Sequence, residues 1–254
     1  MVVVIYFAYL AVLALVMPAP RPRKLRVLAV STATIAAASL VGMPHIVPLA
    51  YLLVGYWLPA YLVSSPNRQV ESRLIGFDRW LMGEWGMHAF RRAPFAVRQY
   101  FELSYLLCYA VPLAGYLWLA AAGFSDATTF FWEVVLSASF LCYGLLPLIP
   151  SRAPRIVEAV QASSSAGVRQ LNLAILTHAS VQWNTFPSGH TAASVATALA
   201  VAPYVPVAGV VIGLVAASIA AGSVIGRYHY AADAIAGVLV AIVAFVTATA
   251  AHAP

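Results

Sequence analysis

The sequence predicts an all-α, polytopic transmembrane helix bundle, and three observations lead to this prediction. Of the 254 residues, 63% are hydrophobic and 9% are charged, whereas an average soluble domain is about half apolar and a quarter charged. Apolar runs long enough to cross a bilayer recur along the whole chain. The basic residues lie in the gaps between these runs, as membrane topology requires. Backbone amides in a bilayer must be satisfied internally, so the runs are predicted to be helices.

The charge and cysteine content fit the same class of protein. The formal net charge is +6, and its position between apolar runs indicates a topological role, so no nucleic-acid partner is expected. Cys108 and Cys142 both lie inside apolar runs and are interpreted as packing residues. No basic residue precedes the apolar run 1–17, so we interpret it as a retained first span.

Eight candidate spans follow one another along the chain. They are 2–17, 27–43, 46–63, 103–122, 130–149, 188–203, 206–222 and 233–251. The second and third are separated by Met43-Pro44-His45, so two crossings, one kinked span and a re-entrant hairpin all remain open. The prediction is a six-helix core with about two extra N-terminal spans. Its parts are N-terminal spans at 1–63, an amphipathic interfacial loop at 64–102 and a transmembrane core at 103–254.

Two connections between spans are long. In 64–102, basic residues alternate with aromatic residues, a pattern typical of helices lying in the interface plane. The aromatic residues are Trp80, Trp85, Phe90 and Phe95. The connection 150–187 contains a break at 163–167 and an apolar stretch, 171–181, that is expected to form an interfacial helix over the site.

The first chemical motif is Phe186-Pro187-Ser188-Gly189-His190-Thr191, at the start of an apolar helix. Proline is tolerated in a first helical turn, and the amides that follow it can face an anion. Ser188 adds a hydroxyl donor, and Gly189 lets the backbone approach a phosphate closely. His190 could donate a proton to a leaving oxygen. The alternative is an ordinary helix start with an interfacial histidine.

The second motif is Gly226-Arg227-Tyr228-His229-Tyr230-Ala231-Ala232-Asp233. His229 and Asp233 are one helical turn apart. An aspartate that accepts from one imidazole nitrogen leaves the other nitrogen as a nucleophile. Arg227 could bind phosphate in a bidentate manner. The alternative is a helix-stabilising pair beside a snorkelling arginine.

A third segment, 147–155, contains prolines that end the fifth span, followed by Arg152 and Arg155. Taken alone, these arginines favour interfacial anchoring. With eight spans, however, all three segments emerge on one membrane face. Arginines, an aspartate and two histidines there would suit phosphoryl transfer through a phosphohistidine. The motifs contain no set of ligands for a divalent ion, so neither a metal nor another cofactor is expected.

The Pro-Ser-Gly-His string, followed after one further span by His-x-x-x-Asp, resembles the type 2 phosphatidic acid phosphatase superfamily. The resemblance covers roughly 103–251, the six-helix unit of that fold. It implies that His229 is the nucleophile, Asp233 its orienting partner and His190 the general acid. It also implies that Ser188 and Gly189 bind phosphate.

The arginines depart from the superfamily pattern. Ser223 stands six residues before His229, where the superfamily usually has an arginine. The segment with Arg152 and Arg155 has no lysine, whereas the superfamily's first motif usually has one. Arg-Tyr-His-Tyr and Pro-x-x-x-Pro-Arg are more similar to the branch that includes inositol phosphorylceramide synthases and their bacterial relatives. Arg152, Arg155 and Arg227 are therefore the candidate phosphate-binding arginines. Three other residues in a stretch similar to that branch receive no chemical role from the sequence: Asp78, Glu102 and Tyr105.

Three functions remain open. The first is a phosphatase acting on a lipid phosphate such as phosphatidate, phosphatidylglycerol phosphate or a polyprenyl (di)phosphate. The second is a phosphotransferase that passes the phosphoryl-containing group to an alcohol such as inositol. The third is a non-enzymatic transporter or scaffold. With eight spans, all 14 Lys and Arg residues fall on one face, so we expect the site on the cytoplasmic face of a bacterial inner membrane.

Overall fold

Helices form in almost every apolar run of the chain. The structure is a computed structural model that describes residues 1–87, 92–157 and 167–252. Its α-helices in these ranges are α1 (Val2–Val16), α2 (Arg21–Val41), α3 (Val47–Trp57), α4 (Arg68–Met87), α5 (Phe95–Leu106), α6 (Val111–Ala121), α7 (Thr128–Leu145), α8 (Pro154–Val157), α9 (Val168–Ala179), α10 (Gly189–Val201), α11 (Pro206–Ile225) and α12 (Ala231–Ala251). Short 3-10 helices occupy Leu58–Leu62, Leu107–Tyr109 and Ser125–Ala127. The described ranges contain no strand.

Several of these helices are long and apolar enough to cross a membrane. Four described segments meet this criterion by themselves: Arg21–Val41, Ser125–Leu145, Pro206–Ile225 and Ala231–Ala251. A fifth is present if the bent pair Phe95–Tyr109 and Val111–Ala121 counts as one span. Val2–Val16 and Val47–Leu62 are shorter apolar segments. The prediction of an all-α, multi-pass membrane protein is therefore confirmed.

The predicted span 103–122 is not one straight helix. Its helix begins earlier, at Phe95, and bends by 64° before Val111. Pro112 lies in the first turn of α6, where a proline has no N–H to donate and its ring blocks a continuous helix. The bend lets α5 pack against α11 while α6 packs against α10.

The chain reverses direction between α2 and α3. Gly42 and His45 adopt positive φ angles of 72° and 48° in this turn. At the opposite end of the pair, the Arg26 guanidinium lies 5.0 Å from the centre of the Tyr61 ring. Because residues 26 and 61 meet in this way, one kinked span across 27–63 is excluded. The returning segment, Val47–Leu62, is shorter than the ~20 residues of a typical full crossing.

The interfacial part of the chain also contains helices. α4 lies within the predicted loop 64–102, and Trp80 on it is 77% exposed. The predicted helix over 171–181 is observed as α9, which begins a few residues earlier, at Val168. Phe90, the side chain of Trp85 and the expected break at 163–166 lie outside the described part of the chain.

The helix that opens with the Pro-Ser-Gly-His motif, α10, lies at the centre of the bundle. It packs against α7, α11 and α12. Its inner positions carry small residues with no exposed surface, including Ala192, Ala196 and Ala200, which allow close helix approach within a membrane. A Cβ added to Gly237 would lie 2.6 Å from the Ser188 carbonyl oxygen. This close crossing brings the start of α12 against the start of α10.

Candidate active site

His229 lies in the turn between α11 and α12, and its ring is held from one side. Its Nδ1 is 3.0 Å from the Thr185 carbonyl oxygen and 3.3 Å from Oδ2 of Asp233. A carbonyl oxygen only accepts hydrogen bonds, so Nδ1 is assigned as the protonated nitrogen. Nε2 then keeps its lone pair, which is the tautomer required of a nucleophilic imidazole.

Asp233 also caps the N-terminus of α12. Its Oδ2 also accepts the backbone N–H of Tyr230 at 2.9 Å, as part of a capping box. The carboxylate has no exposed surface, and its Oδ1 has no hydrogen-bond partner among the described residues. Asp233 therefore anchors the imidazole and the helix start with the same oxygen.

His190 lies close to His229 and is flanked by two tyrosine rings. The two imidazole centres are 5.8 Å apart and their planes are nearly perpendicular. Tyr105 and Tyr109 contact His190 edge-to-face, with ring centres 5.6 and 5.3 Å away. At this separation one phosphoryl group could contact both imidazoles. Two histidines that are 39 positions apart in the sequence thus form one site.

Ser188 and Gly189 lie at the N-terminus of α10, and both have packing roles there. The Ser188 hydroxyl caps the helix by accepting the Thr191 N–H at 3.3 Å, and its own N–H donates to the Asp233 carbonyl oxygen at 3.0 Å. A Cβ on Gly189 would lie 2.5 Å from the Tyr143 ring. First-turn amides of a helix have no intrahelical acceptor, so this terminus can receive an anion.

The structure places Arg152 and Arg227 in ion pairs with carboxylates. Nε and Nη2 of Arg152 each lie 2.8 Å from an oxygen of Glu71. Nη1 of Arg227 is 2.7 Å from Oδ2 of Asp78, and this pair is buried. These arginines therefore meet a protein carboxylate before any ligand, and their predicted role in phosphate binding stays a prediction.

Arg155 is held differently. Its guanidinium lies 5.5 Å from the centre of the Tyr228 ring, and no described carboxylate forms an ion pair with it. Desolvation by burial lowers the pKa of the Arg155 guanidinium from its ordinary value, although an arginine stays protonated at neutral pH. A half-buried cation without a carboxylate partner is well suited to receive a phosphate.

A buried polar network lies beside Tyr228. The Tyr228 hydroxyl donates to Oε2 of Glu102 at 2.5 Å, and its ring stacks on Tyr105 with centres 4.2 Å apart. Glu102 also accepts from Arg169 at 2.6 Å and from Asn172 at 2.7 Å. The network connects α5 and α9 to the residue next to His229.

The backbone of Ser223 closes the turn that carries His229. Its carbonyl oxygen accepts the N–H groups of Tyr228 and His229 at 2.8 and 3.0 Å. Its hydroxyl donates to the Ala220 carbonyl oxygen of the same helix. Ser223 is fully buried. The position at which the superfamily usually has an arginine therefore serves packing in this chain.

Sequence reasoning assigned no role to four residues that contact the candidate site or its neighbours: Thr185, Glu71, Asp78 and Glu102. Asp78 and Glu102 were noted only as part of a stretch similar to one branch of the superfamily. Thr185 acts through a backbone carbonyl, which no sequence pattern reveals. The carboxylates did carry a signal, because the chain has only eight acidic residues and an unpaired buried carboxylate is costly. Glu71 and Asp78 are also seven positions apart, so they share one helix face.

The described residues contain no group of three or more His, Cys, Asp or Glu side chains that could hold a metal ion. The constellation is instead a histidine pair with arginines and a helix N-terminus. On a bundle of membrane helices, this constellation is typical of a membrane phosphoesterase.

Comparison with known families gives the particular family. The model of the PAP2 superfamily matches residues 72–247, which is more than two thirds of the chain. The chain therefore belongs to the PAP2 superfamily, which supports phosphatase-type activity on lipid phosphates in general. The matched region begins within α4, well before residue 103. Comparisons with curated proteins and with solved structures give no match. The branch that includes inositol phosphorylceramide synthases stays a prediction.

Proposed function

We propose that this protein is a lipid phosphate phosphatase that acts through a phosphohistidine at His229, without a metal ion. The observation that carries the proposal is the hydrogen bond from Nδ1 of His229 to the Thr185 carbonyl, because it leaves Nε2 as the nucleophile, next to His190. The membrane position of the site and the superfamily membership support a lipid phosphate as the substrate.

The proposed reaction has two steps. Nε2 of His229 attacks phosphorus, the bond from phosphorus to the lipid oxygen breaks, and His190 gives its proton to that oxygen. Water then attacks the phosphohistidine, His190 takes one proton from it, and inorganic phosphate leaves with the electron pair of the P–N bond returning to Nε2. The Asp233 carboxylate stabilises the positive imidazole ring that forms in the first step.

The phosphate oxygens would lie between Arg155 and the N-terminus of α10. Arg155 supplies positive charge, and Ser188 and Gly189 bring first-turn amides close to the anion. Arg152 could add its remaining guanidinium N–H groups, since its side chain is 30% exposed. These donors would bind the equatorial oxygens, where charge accumulates during phosphoryl transfer.

A second candidate function is transfer to an alcohol, and one observation favours it. Tyr105 and Tyr109 flank His190, which is the base in the second step. Aromatic side chains are common in the lining of small-molecule sites, so a polyol such as inositol could take the place of water beside these tyrosines. The two functions share the first step and differ only in the acceptor.

The cytoplasmic position of the site in a bacterial inner membrane is part of the proposal. The connections at the end of the bundle away from the site, 42–46, 122–127 and 202–205, contain no Lys or Arg. The cluster Arg21–Arg26 lies at the same end as the site, because Arg26 meets Tyr61 there. The positive-inside rule supports a cytoplasmic site.

The decisive experiment is an assay of the protein purified in detergent. Phosphate release would be measured for phosphatidate, phosphatidylglycerol phosphate and polyprenyl (di)phosphates, with and without inositol, in EDTA. We expect release from at least one lipid, inhibition by orthovanadate and loss of more than 99% of the activity in His229→Ala. The matched control is His252→Ala, an exposed histidine at the other end of the bundle. Full activity in His229→Ala, or a magnesium requirement, would contradict the mechanism.

A further inference from the structure

α4 buries two carboxylates on the face that it turns toward the site. Glu71 and Asp78 are 3% and 0% exposed, and Leu74 between them is 7% exposed. Seven residues are about two helical turns, so the three side chains form one stripe. Arg73 and Trp80, on the other faces of α4, are exposed. Glu71 and Asp78 therefore point inward, while basic and aromatic residues occupy the exposed faces of α4.

Asp78 holds both sides of the turn that carries His229. Its Oδ2 accepts Nη1 of Arg227 at 2.7 Å, and its Oδ1 accepts the backbone N–H of Ala231 at 2.8 Å. These partners lie two residues before and two residues after His229. Arg227 also has a positive φ of 62°, a conformation that a non-glycine residue keeps only when its surroundings impose it.

Glu71 binds the Arg152 segment in the same way. Its Oε1 accepts both the backbone N–H and Nε of Arg152, at 3.0 and 2.8 Å, and its Oε2 accepts Nη2 at 2.8 Å. The residue before α4, Asn67, donates its N–H to the Pro150 carbonyl oxygen at 2.7 Å. The start of α4 is therefore bound to the backbone and to the side chain of the Arg152 segment.

We propose that Glu71 and Asp78 are positioning residues. Through them, α4 acts as a brace that fixes the Arg152 segment and the turn that carries His229 relative to each other. This inference rests on the proposed function. Catalytic groups must be held within about 0.5 Å of their productive geometry, and a misplacement of about 1 Å can cost on the order of 100-fold in rate. Two carboxylates on one rigid helix supply this constraint to two loops at once.

The alternative is that these carboxylates compete with substrate phosphate for the arginines. A carboxylate that occupies an arginine could simply compete with substrate phosphate, and its removal would then free the arginine and tighten anion binding. Positioning predicts the reverse, because an arginine and a nucleophile that have lost their anchor bind the transition state less well. The direction of the change in vanadate affinity therefore separates the two roles.

The test uses Asp78→Asn and Glu71→Gln in the purified full-length protein. An amide in place of Asp78 must present N–H groups to the Arg227 guanidinium or to the Ala231 N–H. We expect kcat to fall about 10- to 100-fold, KM to change by less than about threefold, and the orthovanadate inhibition constant to rise. The matched control is Glu133→Gln, which removes a carboxylate from a 2.7 Å pair with His252 at the other end of the bundle and should leave kcat unchanged.

Wild-type kcat in both folded variants, or tighter vanadate inhibition in either, would overturn the positioning role. If Asp78→Asn does not fold, Glu71→Gln decides the question, since its partner Arg152 is 30% exposed. The wild-type protein in the same assay separates a failure of the proposed function from a failure of the brace. Without phosphate release from any lipid phosphate, the proposed function fails and the brace fails with it. With wild-type release and unaltered variants, the brace alone fails.

Discussion

The Thr185 carbonyl oxygen lies closer to Nδ1 of His229, at 3.0 Å, than the Asp233 carboxylate does, at 3.3 Å. The tautomer of the proposed nucleophile is therefore favoured by a backbone group that no side-chain substitution removes. In the proposed mechanism, the main contribution of Asp233 is then electrostatic, because its carboxylate stabilises the positive imidazole. This division leads to a quantitative prediction for its substitution.

Asp233→Asn should lower kcat by about 100-fold or more while KM changes little. The same substitution in a Ser-His-Asp triad lowers kcat by roughly 10⁴-fold, because it also disturbs the tautomer, and we take this value as the limit. Since Thr185 preserves the tautomer here, we expect a loss below that limit. Steady-state kinetics on the best lipid phosphate would measure it, with Asp126→Asn on the exposed loop at the other end of the bundle as control. An unchanged kcat would show that the carboxylate serves only the capping box.

Arg155 and Arg227 should respond differently to alanine substitution. Arg155→Ala leaves no described carboxylate without its cation, so kcat/KM should fall about 100-fold, the usual scale for one charged donor, with an unchanged melting temperature. Arg227→Ala leaves Asp78 buried and unpaired, which costs about 3–5 kcal/mol, so its melting temperature should also fall. Thermal unfolding in detergent and the kinetic assay would be run on both variants. A large drop in the melting temperature of Arg155→Ala would show that Arg155 is structural.

The ion pair between Glu71 and Arg152 should make stability depend on pH in the acidic range. The Arg152 guanidinium holds the pKa of the Glu71 carboxyl below its ordinary value, and nearby Arg68 adds to the effect. A folded-state pKa below the unfolded value of about 4.3 means that the stabilisation is complete above that value. It is lost as the pH falls through the lower, folded-state pKa.

We therefore expect the melting temperature of the wild-type protein to exceed that of Glu71→Gln at pH 6, and the difference to shrink below about pH 4. Melting curves of both proteins between pH 3 and pH 7 would show this. Glu133→Gln serves as the reference for a carboxylate at the other end of the bundle. A difference that stays constant down to pH 3 would contradict the ion pair as its source.

The proposed orientation can be tested by cysteine labelling. Cys108 and Cys142 are buried and would first be replaced by alanine. On this background Asp126→Cys should react with an impermeant thiol reagent in intact cells, and Ser72→Cys on α4 should react only after lysis. Both positions are exposed in the structure. The reverse pattern would place the site on the outer face.

The sequence by itself determined the class of protein and the positions of several of its long apolar helices, although not the bend between Phe95–Tyr109 and Val111–Ala121. Hydropathy and backbone hydrogen bonding are local requirements, so the run that became Pro206–Ile225 was visible without any tertiary information. The residue types and spacing of His190, His229 and Asp233 identified the superfamily for the same reason, since each motif is contained in a few consecutive positions.

Only the tertiary structure decided how the arginines are used and what fixes the imidazole. Arg227 meets Asp78 across 149 positions, and His229 meets the carbonyl of Thr185 across 44. A sequence pattern carries the identity of a charged residue but not the direction of its side chain. It contains still less about a backbone carbonyl in a loop, because every residue has one. Partners of this kind exist only after helices far apart in the chain have packed together. Of the three candidate phosphate-binding arginines, Arg152 and Arg227 pair with described carboxylates, whereas Arg155 does not.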